Sequence, residues 1–183
     1  NIEGKVDKLH LHGYNYSNIS LNGQFAKKLF NGEFIVADPN LDMDFQGDVD
    51  FSGNLPEMHF NSTVRTAMLS KLKLIDRDLS ANVTTDISIN LVGDNIENTQ
   101  GTISIEDLQY SENDKSINIA QIDVESIIND KRILKINSDA FNCLLTGKFN
   151  LDKVLSALPK VTVVIMSTFN IFSVFSYESL IRK

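Results

Sequence analysis

The chain has 183 residues, 42% of them hydrophobic and 22% charged, with a formal net charge of -7. That balance excludes a disordered chain and fits one domain, or one stretch of a longer repetitive protein. Lysines and arginines occur singly or in small groups such as Lys27-Lys28 and Lys131-Arg132, so no basic stripe is present to neutralise phosphates and nucleic acid is not an expected partner.

Strand signals dominate from the start. A weak one covers Val6 to Leu11, with Leu9 and Leu11 on one side. Ile19, Leu21, Gly23 and Phe25 then alternate with polar residues, and Phe34 and Val36 share a face in the next segment. Asp38-Pro39-Asn40 is a turn signal, because proline presets the backbone and its polar neighbours can hydrogen-bond locally. "LDMDFQGDVDF" follows. Leu41, Met43, Phe45, Val49 and Phe51 are apolar, Gly47 is in phase with them, and Asp42, Asp44, Gln46, Asp48 and Asp50 form the other face.

After a turn at Ser52-Gly53-Asn54, Met58, Phe60, Val64 and Met68 share one parity, and Leu72 and Leu74 suggest a short strand. Ile87, Ile89 and Leu91 alternate cleanly. Ile103 and Ile105 slip by one residue to Leu108 and Tyr110, which predicts a bulge near Asp107, and Ile117 and Ile119 slip likewise to Ile122 and Val124. Leu134 and Ile136 form a short strand, and Cys143, Leu145, Gly147, Phe149 and Leu151 close the series. The pattern predicts about ten or eleven strands with short connections, and therefore antiparallel neighbours. Glycines 23, 47, 93 and 147 recur in a loose apolar-x-Gly pattern, which would let a long sheet curl at repeated places.

The remainder, 151–183, lacks clean alternation. A helix is expected from Asp152, over the Leu151–Ala157 stretch, ended or kinked by Pro159. Val161, Ile165, Phe169 and Phe172 fall at helical spacing in a stretch too short and impure for a membrane span. It reads as a helix that packs onto the sheet, while its β-branched residues keep a strand open and its apolar character keeps membrane association open. The expected organisation is a sheet over residues 1–150 and an apolar tail over 151–183.

No constellation points to an enzyme. Four aspartates on one strand face stand about 7 Å apart and do not converge on one ion. His10 and His12 form a His-x-His pair on a polar face without a third ligand nearby, and His59 stands alone. Cys143, the only cysteine, allows no intrachain disulfide and reads as an inert, apolar-parity thiol. No catalytic residue, metal or cofactor is expected. Sequons at Asn15, Asn18, Asn61 and Asn82 matter only for a chain on a eukaryotic secretory route.

A long amphipathic sheet with one short helical tail must curl on itself or leave its apolar face open. The ligand that suits such a face is an acyl chain. "NGEFIVADPNLDMDFQGDVDFSG", Asn31 to Gly53, resembles the TamB/AsmA-like envelope proteins, particularly TamB relatives of the Bacteroidetes lineage, and "LTGKFNL" before a helix-like stretch is similar. The resemblance implies a mainly β fold, a long curled antiparallel amphipathic sheet (a β-taco groove) with a short C-terminal helical segment. It also implies a periplasmic location in the cell envelope. The anchor to the inner membrane would lie in a segment not present here, since the opening at Asn1 reads as an internal piece. The implied partners are phospholipid, an outer-membrane barrel protein of the same pathway and the rest of the same long chain. The expected groove lining is Ile19, Leu21, Phe25, Phe34, Val36, Leu41, Met43, Phe45, Val49, Phe51, Ile87, Ile89, Leu91, Leu145 and Phe149. Asp42, Asp44, Asp48 and Asp50 would keep the outside wet and discourage edge-to-edge pairing. Two other readings stand beside this one: a structural or adhesive β-sandwich, and a scaffold for outer-membrane protein assembly by strand addition.

Overall fold

The computed structural model describes residues 1–75, 80–151, 153 and 154. These form ten antiparallel strands in one sheet, each hydrogen-bonded to its neighbours in the chain. They are β1 (Ile2–Leu11), β2 (Tyr14–Ala26), β3 (Leu29–Asp38), β4 (Leu41–Asp50), β5 (Glu57–Met68), β6 (Asn82–Val92), β7 (Gln100–Glu112), β8 (Lys115–Ile128), β9 (Arg132–Ser138) and β10 (Asn142–Gly147). The order is a simple meander with β1 and β10 as its edges among the described residues, so the sheet does not close. No second sheet exists among the described residues, so they do not form a sandwich. None of their helices is long and apolar enough to cross a membrane.

Alternation with a period of two explains why these segments become strands, and register decides whether their apolar sides meet. One crosswise row runs through all ten strands, from Ile2 through Gly23, Gly32, Gly47 and Phe60 to Ile89, Ile103, Val124, Ile136 and Cys143. The row beside it includes Leu21, Phe34, Phe45, Ile87, Ile105 and Ile122.

The parity slips are matched across strands. Ile105 faces Ile122 and Leu108 faces Ile119, so β7 and β8 skip a residue together and stay apolar on one side. Asp107, where the bulge was predicted, has a φ of +49°. The first hairpin does the same. Val6 faces Ile19, Leu9 faces Tyr16, and Asn18 has a φ of +52°. Asn and Asp tolerate this left-handed region better than other residues with a Cβ.

A third slip was not legible. Met43 faces Val64 while Leu41 faces Ala67, so β5 carries an extra residue around Arg65. Met68 therefore does not share the apolar side with Val64; Ala67 does. Leu72 and Leu74 are not in a strand either. Residues 69–75 are turns, with the Leu72 amide donating to the Met68 carbonyl at 2.9 Å, Leu72 fully buried and Leu74 exposed.

Two hairpins use paired left-handed residues as in a type I′ turn, His12-Gly13 (φ +49° and +78°) and Lys27-Lys28 (φ +51° and +67°). His12 is thus a turn residue and not part of a strand-face pair with His10. The lysine turn lacks the usual glycine or asparagine, and its conformation costs roughly 1–2 kcal/mol per residue.

A small cluster of buried side chains lies at one end. β10 stops at Gly147, and the chain folds back so that Phe149 and Leu151 bury against Leu134, with Val124, Leu145 and Val154 beside them. Asn150 opens the helical turn there. Its Oδ1 accepts the Lys153 amide at 2.9 Å and its carbonyl accepts the Val154 amide at 3.2 Å. That start precedes the expected one at Asp152. The expectations for Asp152 itself and for 155–183 lie outside the described residues.

Candidate functional site

The apolar side of the sheet is the candidate site. Nine strand spacings of about 4.8 Å give roughly 43 Å across the strands, and four rows of same-side residues give roughly 20 Å along them. The resulting face, on the order of 800 Å², exceeds the largest apolar patch of an ordinary monomer. No strand packs against it. Among the described residues every extensive strand contact is with a sequence neighbour, and side chains in the middle of the face, such as Leu21, Phe34, Phe45 and Ile89, are half-buried where a covered core would bury them.

Register places most of the expected lining on this side. Ile19 and Val36 are buried in one row with Met43, and Leu21, Phe34, Phe45 and Ile87 form the next. Ile89 belongs to the row of glycines, and Val49, Leu91 and Leu145 to the row beyond. Leu41 continues the face toward Ala67. Three residues differ. Phe25 and Phe51 sit at the corner of the face, both largely exposed, with ring centroids 6.2 Å apart. Phe149 is not part of the lining, because it leaves the sheet after Gly147 and lies over Leu134 as a cover.

The middle of the face is built on glycine. Gly23, Gly32 and Gly47 are cross-strand neighbours in one row. A Cβ on Gly47 would lie 1.9 Å from the His59 carbonyl oxygen and 2.6 Å from Cδ1 of Phe60. A Cβ on Gly32 would lie 2.8 Å from the Phe30 ring, and one on Gly23 3.0 Å from it. The rings of Phe30 and Phe60 therefore occupy the room that side chains would take, and aromatic cover of this kind compensates for glycine in a strand. Phe60 also stacks on Phe45, with centroids 4.2 Å apart. Leu21, Phe34, Phe45 and the two covering rings enclose a shallow apolar depression of about 270 Å³. Phe30 and Gly32 were missed in the sequence, although "LFNGEF" carries the signal of an aromatic two residues from a glycine, and Phe60 was read on the apolar parity but not as lining. Gly93 and Gly147 lie at strand ends and do not extend the row.

Three hydroxyl residues on this side bond to backbone carbonyls. Ser62 Oγ donates to the Asp44 carbonyl at 2.6 Å, Thr85 Oγ1 to the Glu106 carbonyl at 2.8 Å, and Ser126 Oγ to the Thr99 carbonyl at 3.2 Å. Satisfied internally, these three add no open donor to the face. Cys143 is half-buried at its far end, and burial pushes its thiol pKa up, away from nucleophilic reactivity.

The opposite side is wet and ordered by charge. The bulge aims Arg65 at two carboxylates, with Nε 2.9 Å from Asp42 Oδ1 and Nη1 2.6 Å from Asp44 Oδ2. Arg65 holds the Asp44 carboxyl below the usual range, and hydrogen bonds from Ser52 do the same for Asp50. His59 is not alone, since its Nδ1 lies 3.2 Å from Asp48. The aspartates also do not guard an edge, because β4 lies between β3 and β5. No group of three or more His, Cys, Asp or Glu is arranged to hold a metal among the described residues.

At one margin Asp38 is buried in a polar knot. It accepts from Tyr14 Oη at 2.6 Å, the Ser17 amide at 2.9 Å, Ser17 Oγ at 2.7 Å and the Asn40 amide at 2.8 Å. Burial raises its pKa, but the hydrogen bonds from Tyr14, Asn40 and Ser17 outweigh burial and leave it below the ordinary value. Every acceptor contact serves the fold, tying β2 to the turn between β3 and β4. Compared with protein-family models, curated proteins and solved structures, the chain matches none.

Proposed function

We propose that this chain is a segment of a bridge-like lipid-transfer protein of the TamB/AsmA-like kind, carrying phospholipid acyl chains along the apolar side of its sheet. The observation that supports this reading is a dry face crossing ten strands with no second layer over it among the described residues. Acyl chains need no hydrogen-bond partners, and Ser62, Thr85 and Ser126 on this face offer none, because their hydroxyls are already bonded to carbonyls. The mechanism is passive: tails lie on the rows around Phe45 while head groups remain in water. No side chain is asked to do chemistry. In a longer chain the free edges of β1 and β10 would continue the sheet, and delivery toward an outer membrane beside a barrel partner belongs to the same proposal.

The test is mass spectrometry of organic extracts of the purified chain. Phospholipid should co-purify with the wild type, and Phe45→Asp should abolish retention because it places a charge at the centre of the aromatic cover. A folded Phe45→Asp variant that keeps its lipid would refute this assignment of the lining.

A further inference from the structure

One corner of the sheet is strained, greasy and basic at once. The turn between β2 and β3 is Lys27-Lys28, both left-handed, where asparagine and glycine would sit without strain. Phe25, just before it, is 54% exposed, Leu29, just after it, 41%, and Phe51 45%. The Phe51 amide donates to the Lys28 carbonyl at 2.8 Å, and its ring lies 6.2 Å from that of Phe25, so both rings lie beside the two-lysine turn. Leu29 pairs with Ala26 on the other side of the hairpin, so the tip is apolar on both faces. No acid occurs from Phe25 to Asn31. Asp50 on the adjoining strand pairs with Leu29, and its carboxylate accepts the Ser52 amide at 2.7 Å.

We propose that this hairpin tip docks on an anionic lipid bilayer surface, with Phe25, Leu29 and Phe51 entering the headgroup boundary and Lys27 and Lys28 facing the lipid phosphates. Charge complementarity selects this occupant. The chain as a whole carries -7 and is repelled by an anionic surface, so an adjacent pair of lysines beside exposed apolar groups is a part able to approach one. Interfacial binding of this kind combines apolar burial with attraction of Lys and Arg to anionic headgroups. Strain kept at an exposed turn is also what a functional constraint on residue type produces. The inference does not depend on lipid being carried on the sheet.

Sedimentation with vesicles tests it, using phosphatidylcholine alone and an equal mixture with phosphatidylglycerol. The wild type should sediment with the mixed vesicles at low salt, less at high salt, and little with phosphatidylcholine alone. Lys27→Asn/Lys28→Gly suits the turn better than the native pair, so it should fold with an equal or higher Tm while binding weakens about thirty-fold, about 2 kcal/mol for two lysines at 1.4 kcal/mol per decade. Phe25→Ser/Phe51→Ser should weaken binding at all salt concentrations. Phe45→Asp should sediment like the wild type, which separates docking from lipid carriage. Equal binding to both vesicle types, no binding to either, or undiminished binding by the Asn-Gly variant would overturn the proposal.

Discussion

Replacing Asp38 by alanine removes the acceptor for four hydrogen bonds at once, from Tyr14, the Ser17 amide, Ser17 Oγ and the Asn40 amide. Bonds to a charged acceptor are worth about 1.5–3 kcal/mol each, so the lower bound for four is about 6 kcal/mol. The knot lies at the margin of the sheet, where water can replace roughly half of that, which leaves an expected loss of about 3 kcal/mol. In urea, with m near 2 kcal/mol/M for a chain of this size, the midpoint should fall by about 1.5 M at unchanged m. The pH dependence has a definite sign. The folded pKa of Asp38 is lowered, so its contribution is complete above the ordinary carboxylate value of about 3.9 and disappears as pH falls through the folded pKa. The gap between wild type and variant should therefore narrow below about pH 3.9. A loss under about 1 kcal/mol at neutral pH, or a gap that stays constant into acid, would refute the account of the knot.

Other substitutions probe the rest of the architecture. Gly47→Ala should destabilise by about 3 kcal/mol in urea titration, because its Cβ meets the His59 carbonyl at 1.9 Å and that backbone must move; a neutral result would mean that β4 and β5 are spaced differently. Phe149→Ala should uncover Leu134 and cost about 2 kcal/mol at this partly open site, with faster amide exchange confined to β9 and β10. Arg65→Gln should lower Tm at low ionic strength by releasing the repulsion between Asp42 and Asp44, and the difference should shrink in high salt, since the ion pairs are exposed. A deficit that does not change with salt would assign Arg65 a packing role instead.

Much of this sheet is local information. In "LDMDFQGDVDF" the alternation determines the strand and its two faces, because successive side chains point to opposite sides whatever the partner is. The double slip at Ile105–Leu108 and Ile119–Ile122 was readable for the same reason: each strand carries its own break in parity. What the sequence could not contain is pairing across long separations. That Gly23, Gly32 and Gly47 form one row, with Phe30 and Phe60 laid over it, depends on the register of four strands at once. Arg65 was silent because its bulge leaves no lasting alternation to count, and Asp38 because its partners lie up to 24 residues away. Phe149 kept the parity of a strand in sequence, yet tertiary packing turned it over Leu134, where a large ring gains more by covering a sheet end than by extending an edge. Periodicity thus decided that there would be an apolar side; only the meander, with every strand beside its chain neighbour and nothing folded across among the described residues, decided that these strands would leave that side without a second layer of their own.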